Sequence, residues 1–407
     1  MFSRTSRSSC PCKVSIRKPK RFWPTMFRLI RLRPAWAISR RCLAEARRWS
    51  PTPYQPPRPP PRRKSGTSIV TSIAPIRRQG LDFPSLFLWS IISSLFCAYF
   101  VMAVLGLVRI NPSDLVLAVL ASAVGLSLWA FYTFNRPDER IARLSRGMVE
   151  LFLLSFLCGS LSYLAAALNR PLWDEVFDMW DKALGFHWKD WLLVLNSHPR
   201  VHLVLAAAYH SMIPQFIGVV VALVTARAFK TLDTFLIAFG IAATATVSIS
   251  AMMPALSPLV YYNIVPSDYP NIVLAVPLEF ASQVTALRDG SMRLVDLSGA
   301  QGLVTFPSFH TASGVLLFLA FWQVPYLRWI FAALNVVLIT SVTLEGSHFL
   351  VDVLAGTAVA LVSWWTADRI VRFNPSVVSR ILEASVGRRL PELAPEAARR
   401  TIRPRLE

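Results

Sequence analysis

Glu345-Gly346-Ser347-His348-Phe349-Leu350-Val351-Asp352 opens an apolar run that continues to Ala367. The run is long enough to enter a bilayer as a helix, and two ionisable groups stand at its start. On a helix, His348 and Asp352 share a face one turn apart, within reach of a carboxylate–imidazole hydrogen bond. An imidazole steadied in this way is a primed nucleophile or base. Upstream, Phe306-Pro307-Ser308-Phe309-His310 sets a second histidine at the edge of another apolar run.

The rest of the chain matches that setting. With 54% hydrophobic residues, 16% charged residues and a mean hydropathy of +0.45, the 407-residue chain is too apolar for an ordinary soluble protein. The composition predicts an all-α polytopic membrane bundle. Eight apolar segments are candidate spans: Leu86–Val108, Leu115–Phe134, Met148–Leu168, Val201–Ala226, Leu232–Met253, Ser308–Val324, Trp329–Leu344 and Phe349–Ala367. Arg136, Arg140, Arg143, Arg146, Arg227, Lys230, Arg328, Arg369 and Arg372 then fall on one side, the cytoplasmic side by the positive-inside rule. The opposite side receives the loops Asn169–Arg200 and Pro254–Pro307, and with them His310 and His348. Trp173, Trp180, Trp188 and Trp191 mark the first of these loops as interfacial.

The formal net charge of +20 suggests nucleic acid until it is located. Met1–Gly80 holds 20 Lys and Arg against the single acid Glu45, and the remaining residues are nearly balanced. The charge belongs to a tail rich in Arg, Ser and Pro, so no nucleic-acid partner is expected. Three origins are open for this tail: a polybasic segment touching anionic lipid, a transit peptide, or a mis-assigned translation start. Four regions are expected: a disordered tail over 1–80, two additional membrane helices over 81–147, a catalytic membrane domain over 148–369, and a basic cytoplasmic tail over 370–407. Cys10, Cys12 and Cys42 lie in the tail, and Cys97 and Cys158 lie in apolar spans, so neither a disulfide framework nor a metal site is read from them.

From Leu151 to Ala367 the sequence resembles the type 2 phosphatidic acid phosphatase (PAP2) superfamily. Pro307, Ser308 and His310 meet the signature P-S-x-H, and Ser341, His348 and Asp352 meet S-R-x5-H-x3-D with Val342 in place of the Arg. The signature K-x6-R-P survives only as Arg170-Pro171, with Tyr163 where Lys is expected. Two of three phosphate-gripping cations are therefore missing. The pattern is closer to the inositol phosphorylceramide synthase branch, which Tyr209-His210-Ser211 followed by Pro214 also resembles.

The resemblance implies a six-helix core within the bundle and metal-independent, cofactor-free chemistry on a membrane lipid. His348 would attack phosphorus, Asp352 would stabilise the imidazolium, and His310 would protonate the leaving oxygen and then activate water or an alcohol. Ser308, Ser347, Arg170, Arg288 and Arg293 are candidates for holding phosphate. Pro307 suits a first helical turn whose free N–H groups would cradle it, and Tyr209 and His210 are cavity candidates. His187, His198 and His202 read as interfacial anchors, and Glu345 as an awkward acid beside a phosphate. The expected location is a bacterial inner membrane, with the site facing the periplasm or lumen. Inositolphosphotransferase-like transfer is one outcome, hydrolysis a second, and a catalytically silent transport or scaffold protein the alternative. The oligomeric state is not legible.

Overall fold

The computed structural model describes residues 82–373 apart from 274, 277–278 and 298–302. The expected N-terminal tail and the C-terminal tail from residue 374 onward lie outside the described residues. What is described is almost wholly helical. In chain order the helices are α1 (Phe83–Val104), α2 (Pro112–Ala130, continued by a π-turn over Phe131–Asn135), α3 (Glu139–Ala167), α4 (Asp174–Ala183), α5 (Trp188–Ser197), α6 (Pro199–His210), α7 (Met212–Thr225), α8 (Phe229–Met252), α9 (Glu279–Asp289), α10 (Phe309–Trp322), α11 (Arg328–Ser341) and α12 (Leu350–Arg372). Single turns over Pro258–Tyr261 and Pro266–Asp268 interrupt the loop before α9.

Helix starts follow from local chemistry. Asn111 and Asp138 accept N–H groups of the first turns of α2 and α3, at 3.4 Å and 2.9 Å. Proline stands in the first turns of α1, α2 and α6, where its missing N–H costs nothing. Pro214 acts differently. It removes a hydrogen bond to the His210 carbonyl and crowds it, and α6 and α7 meet there at a 49° bend.

This is the bundle of an integral membrane protein, but the number of spans differs from the eight expected. Five helices are long and apolar enough to cross a membrane: α1, α2 with its π-turn, α3, α8 and α12; the bent pair α6–α7 makes a sixth. With 14 residues each, α10 and α11 extend only about 21 Å against about 30 Å of hydrocarbon. The apolar count ran through Val342, Thr343 and Leu344, which leave α11 as a series of turns. Hydropathy does not register that change of backbone.

The core sits where α8 packs against α3 and α12, with α10 beside α8, α11 and α12. Phe235, Leu236, Phe239, Leu154 and Leu316 are fully buried there. A two-residue parallel bridge, β1 (Arg109–Ile110) with β2 (Leu294–Val295), joins the α1–α2 loop to the segment after α9. Trp188, expected at the interface, is instead 1% exposed and donates its indole N–H to the Thr343 carbonyl at 2.8 Å. Trp191 keeps the exposed position expected of an interfacial residue.

Candidate active site

The turns between α11 and α12 hold His348. A Cβ on Gly346 would lie 2.7 Å from the Val342 carbonyl oxygen and 2.9 Å from the Tyr209 ring, so the close approach requires glycine. Ser347 takes φ +50° and accepts the Leu259 N–H on its Oγ at 3.0 Å. His348 Nδ1 is 3.1 Å from Asp352 Oδ2, which also accepts the Phe349 N–H at 3.0 Å. One carboxylate thus caps the start of α12 and orients the imidazole, leaving Nε2 as the nitrogen that Asp352 does not hold. Burial pushes the His348 imidazole pKa down to about 4, against the opposing influence of the Thr305 backbone, so the ring is neutral at neutral pH.

His310 stands one residue into α10, its ring parallel to that of Tyr209 at 4.4 Å between centroids. The start of α10 is docked on α12 at backbone level, where the Ser308 N–H donates to the Asp352 carbonyl at 3.0 Å. At Gly356 an added Cβ would run into the Ser308 carbonyl. A cavity of about 500 Å³ results, with His310, His348, Ser347, Tyr209 and His210 on its wall. Residues of α3 and α8, among them Cys158, Phe239 and Val247, supply an apolar side.

The remaining sequence candidates are placed elsewhere. Ser308 is fully buried, and its Oγ accepts the Thr311 N–H at 3.3 Å, so both its N–H and its hydroxyl oxygen are engaged inside the protein. Pro307 precedes that cap, outside the first turn where it was expected, and its peptide bond with Phe306 is cis. Arg288 donates to the Arg170 carbonyl at 2.8 Å, and Arg293 donates to the Leu107 carbonyl at 2.7 Å. Burial lowers the Arg288 pKa, while Asp174 nearby favours its charge. The Arg170 side chain is exposed, and among the described residues no Lys or Arg lines the cavity.

Residues 177–366 match the family model of the PAP2 superfamily. The PAP2 match covers under half of the chain, includes His310, His348 and Asp352, and begins after α3. No match was found among curated proteins or solved structures.

Several residues that shape the site escaped the reading of the sequence. Asp181 of α4 accepts the Leu350 and Val351 N–H groups at 2.7 Å and 3.0 Å, capping α12 from another helix. Asp174 does the same for Leu256 and Ser257. Burial raises both carboxyls, and these N–H groups draw them back. Asp174, Asp178 and Asp181 share a helical face, a spacing visible in the sequence, but the signal did not show which way the face turns. Glu345, fully buried, takes neither an arginine nor an outward position. Its Oε1 lies 2.7 Å from Nδ1 of His202, whose Nε2 accepts the Val273 N–H at 3.3 Å. His202 is therefore a half-buried partner of Glu345, where the sequence suggested an interfacial anchor.

Proposed function

We propose that this protein is a membrane phosphatase or phosphotransferase acting on lipid phosphate or phosphodiester groups, with His348 as nucleophile. The observation that carries the reading is the His348–Asp352 pair, at 3.1 Å, on the cavity wall shared with His310. His348 Nε2 attacks phosphorus; the P–N bond forms as the P–O bond to the leaving alcohol breaks, and that oxygen takes a proton from His310. In the second half, water or an alcohol attacks phosphorus, the P–N bond breaks, and His310 recovers a proton from the attacking O–H. General acid–base help of this kind contributes about 10²–10⁴-fold. Val247 lines both this cavity and an apolar groove of about 750 Å³ between α1, α3 and α8, which suits acyl chains beside the reacting group.

Among the described residues no Lys or Arg lines the cavity, which favours the inositolphosphotransferase-like branch over a generic phosphatase and is also the observation behind a silent scaffold. The distribution of arginines supports a site facing away from the cytosol. Purified wild type and His348→Ala, incubated with a panel of lipid phosphates and phosphodiesters, separate the readings. Turnover by wild type that is lost in the variant is expected, with free phosphate marking hydrolysis and a new phospholipid marking transfer. Equal behaviour of the two proteins refutes the enzyme.

A further inference from the structure

Around His310 and His348 the ionisable side chains nearby, apart from His, Tyr and Cys, are acids. Asp352 touches His348, and Glu345, three residues before His348, is wholly buried beside the cavity loop. Glu345 immediately precedes Gly346 of the cavity wall, and its carboxyl interacts electrostatically with Tyr209 and His210 of that same wall, which puts it on the order of 10 Å from a bound phosphate. No Lys or Arg on the cavity wall answers it among the described residues. The titratable groups that face Glu345 are His202, His210 and Tyr209, all from α6, together with the backbone at Ala275. Burial raises the Glu345 carboxyl pKa, and the bond to His202 draws it back.

Building on the phosphotransfer reading, we propose that Glu345 is a specificity-determining residue that selects by phosphate charge: the cavity accepts phosphodiester lipids with one negative charge and discriminates against dianionic phosphomonoesters. A second negative charge about 10 Å from a carboxylate, at an effective dielectric of about 20, is disfavoured by roughly tenfold. The second ionisation of a phosphomonoester lies near pH ~6. Discrimination is therefore present above that pH and fades below it, as the substrate dianion takes up a proton. Glu345 touches no substrate in this account and is not a catalytic residue.

The test uses the full-length protein in detergent and two lipids with the same diacylglycerol, phosphatidic acid and its monomethyl ester. Diacylglycerol, the leaving alcohol in both cases, is the readout. The expected result is a kcat/KM for the diester about tenfold or more above that for the monoester at pH ~7.5, narrowing toward pH ~5. The ratio cancels enzyme titrations common to the two substrates. Glu345→Gln, which keeps a hydrogen-bond acceptor for His202, is expected to raise monoester turnover relative to diester by about tenfold at pH ~7.5. Equal or faster turnover of phosphatidic acid by wild type overturns charge selection while leaving the phosphotransfer reading standing. A folded Glu345→Gln with an unchanged ratio removes Glu345 from the explanation. If that variant does not fold, the wild-type comparison still decides whether charge is selected. Absence of diacylglycerol from either lipid, while other phospholipids turn over, also rejects the proposal. No turnover of any lipid, in wild type as in His348→Ala, brings down the phosphotransfer reading itself.

Discussion

His310 separates chemistry from assembly more cleanly than any other residue, because its ring stacks on Tyr209 while its backbone position is set by the Ser308 cap. His310→Ala is expected to lower kcat by about 10²–10⁴-fold and leave thermal unfolding in detergent close to wild type; a variant with unchanged kcat removes His310 from the proton transfers. At this scale the sequence was legible where partners are near neighbours. His348 and Asp352 lie only four apart and do meet, although His348 stands just before α12 rather than on it, so the contact is made across the helix start and not along a helical face. His202 and Glu345 lie 143 residues apart, and no periodicity links them. The same limit applies to the arginines. Arg170 and Arg293 lie between helices as expected, whereas Arg288 lies in the last turn of α9, and backbone carbonyls engage the Arg288 and Arg293 side chains outside the cavity wall.

Helices were easier to read than their ends. The apolar runs announced α1, α2, α3, α8 and α12, but the break of α11 at Val342 and the bend at Ser211 depend on turn geometry and on Pro214. The cap that Asp181 places on α12 belongs to this scale, because a helix start buried inside the protein needs acceptors for its free N–H groups. Asp181→Ala leaves the Leu350 and Val351 N–H groups without these acceptors. It is expected to cost about 1–2 kcal/mol, seen as a lower midpoint of thermal unfolding in detergent, and to slow turnover by loosening the helix that carries Asp352. An unchanged midpoint in the variant shows that the Asp181 cap adds nothing measurable to the stability of α12.

Across the whole molecule, the charges used to orient the chain also hold it together. Arg143 reaches Asp233 at 3.0 Å, and Arg146 reaches Glu150 at 3.0 Å and Asp233 at 3.6 Å, joining α3 to α8. Asp233→Ala takes from Arg143 and Arg146 an acid that both reach, leaving Glu150 and Asp82 nearby, and is expected to destabilise by about 3 kcal/mol. Comparing single and double variants with Arg143→Ala checks this, since a shared interaction makes the two losses less than additive. The first two helices, outside the PAP2 match, also grip the segment after α9: the Arg109 N–H donates to the Arg293 carbonyl at 2.7 Å, and Asp114 accepts the Leu297 N–H at 2.7 Å. The sequence by itself determined that the chain is an all-α membrane protein and that His348 and Asp352 form a pair, because apolar length and short sequence separation are local properties. Only the tertiary structure decided that the arginines stay off the cavity wall, that Asp181 caps α12, and that Glu345 is buried against His202. Each of these depends on groups distant in the chain meeting, and that meeting is set by packing rather than by sequence spacing.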